Sequence, residues 1–121
     1  MAKELGVAEH VFFLGEREDI AELLKAMDVF LLPSLYEGLP IVAVEAQAAN
    51  VKLVLSTEVS PDTVLSENVR FVALDADLDQ WENEIMGEPQ GNRPKPEMEA
   101  FDMLKTAEAL EKIYDAKGAS A

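Results

Sequence analysis

The sequence contains no cysteine. That excludes a disulfide framework, a thiol nucleophile and a thiolate metal site. Histidine is nearly as scarce. The single His10 rules out a histidine-rich metal centre, and nothing beside it supplies a nucleophile for it to activate, so it reads as a structural residue at a strand edge. Positive charge is thin as well: ten Lys and Arg stand against 24 Asp and Glu, a net charge of −14. A surface of that sign repels phosphodiester backbones and anionic headgroups, which argues against nucleic acid as a partner. No apolar run approaches the roughly 20 residues that span a bilayer, and the opening MAKELG lacks an apolar signal segment. The expectation is a cytoplasmic protein without a transmembrane segment. Internal repeats and low-complexity runs are missing too.

What is present suits one small globular domain. Hydrophobic residues make up 49% of 121 positions, enough for a modest core. The chain is organised around Asp28 to Asn50, DVFLLPSLYEGLPIVAVEAQAAN. Val29 to Leu32 form a short apolar run, the pattern of a strand buried on both faces. Pro33 ends it, having no N–H for a ladder. Ser34 to Leu39 make a tight loop, and Pro40 sits where its fixed φ suits the start of a helix. Ile41 to Ala49 then form that helix, with apolar residues at Ile41, Val44 and Ala48.

The flanks fill in an α/β pattern. Residues 2–6 read as a helix tail stopped by Gly6, as if the chain began partway through a domain. Val11 to Leu14 read as a strand closed by Gly15. Asp19 and Glu22 have capping-box spacing, and Ile20, Leu23, Leu24 and Met27 form one apolar helix face. Asn50 tolerates the left-handed conformation that stops a helix. Lys52 to Ser56 form the next strand; residues 57–67 read as a loop with a helical turn, and 68–74 as an edge strand. A helix over 77–86 carries Leu78, Trp81 and Ile85, with Trp81 as a packing anchor. Residues 86–100 are linker-like around GEPQGNRPKP, and 101–117 form a last helix with a stripe at Leu104, Ala107, Leu110 and Tyr114.

The strand–loop–helix unit has chemical consequences. A helix start beyond a buried parallel strand presents unpaired N–H groups and partial positive charge, which attract phosphate. Ligands of open α/β sheets bind at these carboxyl ends. Two acids bracket the mouth, Glu37 in the loop and Glu45 in the helix, and helical side chains lean toward the N-terminus. Carboxylates beside a phosphate site make sense as acceptors for sugar and ribose hydroxyls.

Glu37-Gly-Leu-Pro-Ile-Val-Ala-Val-Glu45 resembles the E-x7-E motif of retaining glycosyltransferases of the GT-B fold, family four. DVFLLPS before it, EAQAA within the helix, LVLS at 53–56 and the closing FDMLKTAEALEKIY are similar to the same family, across about residues 2 to 117. The resemblance implies a partial GT-B C-terminal domain: a Rossmann-like three-layer αβα arrangement with a mostly parallel sheet of about four strands. Residues 1–121 would form part of a sugar-nucleotide-binding domain serving glycan and polysaccharide biosynthesis. It further implies that Glu37 is the catalytic residue, bonding the hydroxyls of the transferred sugar, and that Glu45 takes the ribose hydroxyls. The N–H groups of Gly38 and Leu39 would face sugar or diphosphate oxygens, and Gly15, Glu16 and Arg17 would lie beside the base. The donor implied is a UDP-sugar, with no metal and no cofactor.

Two elements of the resembled enzymes are absent from these residues: the acceptor-binding N-terminal domain, and the Arg and Lys that neutralise the departing diphosphate. Loss of one such donor alone costs about 10²–10³ in rate, so the chain by itself is expected to be inactive. Its partners would be a nucleotide sugar and the missing N-terminal half, through which the inner membrane surface would be reached. Self-association of the exposed edges is a further expectation. Val11–Leu14 is expected to pair directly with Val29–Leu32, or two chains to complete one another. A catalytically inactive α/β half-domain acting as a binding or assembly subunit is the alternative function. An unrelated flavodoxin-like module is a third reading, which does not call for two acids at one helix mouth.

Overall fold

The computed structural model describes residues 1–89 and 111–112. Three parallel strands form one sheet in the order β1 (Val29–Leu32), β2 (Lys52–Ser56), β3 (Val69–Val72). Val29 is opposite Lys52, and Leu53 is opposite Val69. Helix α1 (Ile20–Ala26) precedes β1, α2 (Ile41–Ala48) connects β1 to β2, and α3 (Leu78–Met86) follows β3. Alternation along the strands then assigns two faces. Phe30, Leu32, Leu53, Leu55, Val69 and Phe71 pack with Leu24 of α1 and with Ala43 and Ala46 of α2. Lys52 and Arg70 turn the other way and meet α3: the Lys52 ammonium donates to the Ile85 and Gly87 carbonyls, and Arg70 lies 3.9 Å from Glu84. The result is the expected Rossmann-like α/β arrangement, helices on both faces of a parallel sheet.

The sheet has three strands among the described residues, against an expectation of about four. Val11–Leu14 forms no strand and does not pair with β1. Phe12 and Phe13 are 78% and 94% exposed. Apolar alternation prepares a segment for a ladder but supplies no partner, and without cross-strand bonds an extended run is not a strand. For the same reason β1 is an edge: Leu31 is 45% exposed rather than buried, whereas all of β2 is buried.

Local signals fared unevenly. Residues 2–6 form turns and not the tail of a helix. Gly6 has φ 70°, with its N–H bonded to the Lys3 carbonyl at 3.2 Å and Val7 N–H to the Ala2 carbonyl at 3.0 Å, the paired bonds of a glycine stop without a helix before them. Asn50 repeats it at φ 61°: its N–H meets the Gln47 carbonyl at 3.0 Å and Val51 N–H meets Ala46 at 2.9 Å. The capping box does not form. The Asp19 carboxylate caps nothing and is taken instead by the Arg17 guanidinium, Nε to Oδ1 at 2.6 Å. His10 lies in a single 3-10 turn, Ala8–His10, and not at a strand edge. From the apolar face of α1 only Leu24 is fully buried; Ile20 and Met27 each keep 37% of their surface exposed. Another 3-10 turn, Pro61–Thr63, supplies the helical turn expected in 57–67. Trp81 is the anchor expected, its indole N–H donating to the Ala73 carbonyl at 3.2 Å. Most of the linker-like stretch and the last helix lie outside the described residues.

Candidate functional site

All three strands run the same way, so Leu32, Ser56 and Val72 end at one edge of the sheet. The 33–40 loop leaves β1 at that edge. Pro33 cannot extend the ladder, so the chain turns up. Leu35 and Tyr36 project into solvent, each 84% exposed. Glu37 is different: it is half-buried, and its backbone bridges to Val59 in the segment after β2. Its N–H donates to the Glu58 carbonyl at 3.3 Å, and its carbonyl accepts from Ser60 N–H at 3.0 Å. The carboxylate lies 3.5 Å from the Ser34 hydroxyl, at the long end of hydrogen-bond range.

Gly38 follows, with nothing within 4 Å of where a Cβ would stand, so the space before its backbone is open. Pro40 then caps α2 without a side-chain hydrogen bond, and the first turn of that helix holds no acidic residue. Its amide end is neither capped nor neutralised by its own sequence. The first turn of α1 contains Glu22 and that of α3 contains Asp79. A helix start left in that state favours an external anion.

Glu45 sits in the second turn of α2, exposed, on the side that meets α1. It lines a groove of about 280 Å³ with Ala21, Leu24, Lys25, Ala48 and Ala49. Glu37 has its neighbours in the loop mouth, and no hydrogen bond joins the two acids. Gly15, Glu16 and Arg17 form an exposed turn before α1, in which Gly15 has φ 66°. The Arg17–Asp19 pair raises the guanidinium pKa and lowers that of the carboxyl, each through their hydrogen bond first. Among the described residues no three His, Asp or Glu side chains cluster as metal ligands.

Comparison with known proteins brings this geometry to a family. The family model described as glycosyl transferases group 1 matches residues 1–87. The chain belongs to the group 1 glycosyl transferases. The putative glycosyltransferase EpsF of Bacillus subtilis is 38% identical over 123 residues, covering 94% of this chain and 32% of EpsF. A D-inositol 3-phosphate glycosyltransferase of Mycobacterium ulcerans is 36% identical over 90 residues, 72% of this chain and 19% of that protein. An Escherichia coli enzyme named UDP-Gal:alpha-D-GlcNAc-diphosphoundecaprenol alpha-1,3-galactosyltransferase is 42% identical over 53 residues, 44% of this chain and 14% of that protein. The chain thus spans a third or less of the length of these relatives. No solved structure gives a significant match. Among the described residues, no helix of this group 1 glycosyl transferase chain is long and apolar enough to cross a membrane.

Residues that fasten the site were not visible as such in the group 1 sequence. Gln47 is buried, its amide donating to the Ala43 carbonyl at 3.0 Å and the Thr63 carbonyl at 2.7 Å while Leu65 N–H donates to its Oε1 at 2.7 Å. One side chain therefore ties α2 to the loop before β3. A lone Gln inside an Ala-rich helix, which the sequence does show, was the only available signal. The buried face of α2 is Ala43, Ala46 and Gln47, while Ile41 is 73% exposed. Small residues let the helix approach the sheet closely, with Val42 and Val44 half-buried beside them.

Proposed function

We propose that the 34–40 loop and α2 bind the sugar-nucleotide donor of a retaining glycosyl transfer in glycan or polysaccharide assembly, with a UDP-sugar as donor. One observation carries the reading: a helix start with no cap and no acid of its own stands at the carboxyl edge of a parallel sheet, with Glu37 anchored at its mouth. The diphosphate takes the amide end of α2, with the N–H groups of Gly38 and Leu39 beside it. Open space before Gly38 admits the ligand, and a side chain there would narrow it. Glu37 accepts hydrogen bonds from hydroxyls of the transferred sugar, and Glu45 from those of the ribose. The Arg17 guanidinium is engaged by Asp19, so the base meets the backbone of Gly15 and Glu16 rather than the Arg17 charge. Helix dipole and amide groups supply the positive potential, so no metal is required.

These residues alone bind donor without transferring its sugar. The acceptor side of the cleft and the Arg and Lys that meet the leaving diphosphate would come from the N-terminal half of the enzyme. Titration with UDP, followed by backbone-amide NMR, tests the site. Shifts at Gly38, Leu39 and Glu45 that vanish in Glu45→Ala support it. No binding at millimolar UDP leaves only the reading of an α/β half-domain without a donor site.

A further inference from the structure

We propose that Ser56 is a positioning residue for Glu37, and that through it the segment after β2 sets preference for a sugar-bearing nucleotide over the bare nucleotide. The inference rests on the donor-site reading above. Ser56 ends β2 and is wholly buried. Its hydroxyl donates to the carbonyl of Ser34. β1 stops at Leu32, and Pro33 lacks the N–H that would continue its ladder, so the Ser34 carbonyl lies beyond the sheet's own hydrogen bonding. The Ser56 hydroxyl takes the place of the missing rung. Only Leu35 and Tyr36 separate Ser34 from Glu37, and at 84% exposure neither has packing to hold it. The arm that carries Glu37 is therefore fixed at its two ends.

Both anchors belong to one short segment. At the near end Ser56 holds Ser34, whose own hydroxyl stands 3.5 Å from Glu37 Oε1. At the far end Glu58 and Ser60 bracket the Glu37 peptide at 3.3 and 3.0 Å. Residues 56–60 thus set where the carboxylate sits. The amides of α2 itself begin after Pro40, and the Gly38 and Leu39 N–H groups keep the far anchor at Glu58 and Ser60 when the near one is loosened. Loosening the near anchor frees the carboxylate while leaving the diphosphate position standing, so it lowers affinity for a UDP-sugar and spares affinity for UDP.

The test compares calorimetric affinities of the full 121-residue chain for UDP and for UDP-glucose and UDP-galactose. In Ser56→Ala the ratio of the better sugar nucleotide to UDP falls about tenfold, the loss of one charge-assisted bond at about 1.4 kcal/mol. Ser56→Thr, which keeps the hydroxyl, restores it. In a Glu37→Ala background the Ser56→Ala change has no further effect on the ratio, because the group it positions is gone. The inference is overturned if Ser56→Ala leaves the ratio unchanged. It is equally overturned if UDP and UDP-sugars weaken together, or if the effect persists without Glu37. Failure of wild type to bind UDP at all refutes the donor site itself, a result distinct from bound UDP with an unaltered ratio.

Discussion

Replacing Gln47 by Leu should be far more damaging than its place on a helix suggests. The side chain is 1% exposed and joins two segments 16 to 18 residues apart. Leucine fills similar space but can neither donate to the Thr63 carbonyl nor accept from Leu65 N–H. Ala43's carbonyl is covered by the helix's own bonding, so two buried backbone groups are orphaned. Each costs about 1–3 kcal/mol, a gross loss of about 2–6 kcal/mol, which the more apolar side chain offsets by about 1–2 kcal/mol. A net loss of about 1–4 kcal/mol would take a sizeable share of the roughly 5–15 kcal/mol that holds a typical domain together. Urea unfolding followed by circular dichroism reads it directly. With a denaturant slope of about 2 kcal/mol per molar, the middle of the usual range, the midpoint should drop by about 0.5–2 M with unchanged slope. A shift worth less than about 0.5 kcal/mol would refute the reasoning, because it would mean that the loop before β3 is not held by this amide.

Thr63→Val should act in the opposite sense: Thr63 Oγ1 is buried with no partner among the described residues, and removing it is expected to stabilise by about 1 kcal/mol in the same unfolding assay. Asn50→Gly should also stabilise, by up to about 1 kcal/mol, because Asn50 adopts φ 61° and glycine meets no steric cost there; a lower midpoint would show that the Asn side chain matters more than its backbone. The Arg17–Asp19 pair gives a pH-dependent test. Asp19 is held below its ordinary pKa by the Arg17 hydrogen bond, so the pair's contribution is present above the unfolded value and is lost as pH falls through the lower folded one. Carboxyl NMR titration of Arg17→Ala should move Asp19 back up toward the ordinary value, and an unmoved titration would mean that the pair is not formed in solution.

The parts of this fold that are local in sequence were legible in it. The apolar run before Pro33, the proline at the head of α2 and the glycine-like Asn50 each carry their reason within a few residues, and each appears where expected. What failed needed a partner elsewhere. Val11–Leu14 has the composition of a strand, but strand formation is settled by whatever lies alongside, and nothing described does. Asp19 had the spacing of a cap and was captured by a guanidinium two residues back. For the candidate site, spacing against a family pattern picked out the loop and its two acids as candidates. The anchoring of Glu37 by Ser56 and residues 58–60, and the clasp made by Gln47, join segments that only the folded sheet brings together. Glu45 shows the same limit: spacing sets it on α2, while its neighbours Ala21 and Lys25 come from α1.

A crystal structure of the chain soaked with UDP is the most direct test of the donor site. The diphosphate should lie on the amide end of α2 within hydrogen-bond reach of the Gly38 or Leu39 N–H, with a ribose hydroxyl on the Glu45 carboxylate. UDP bound elsewhere, or bound there with Glu45 turned away from the ribose, would contradict the account.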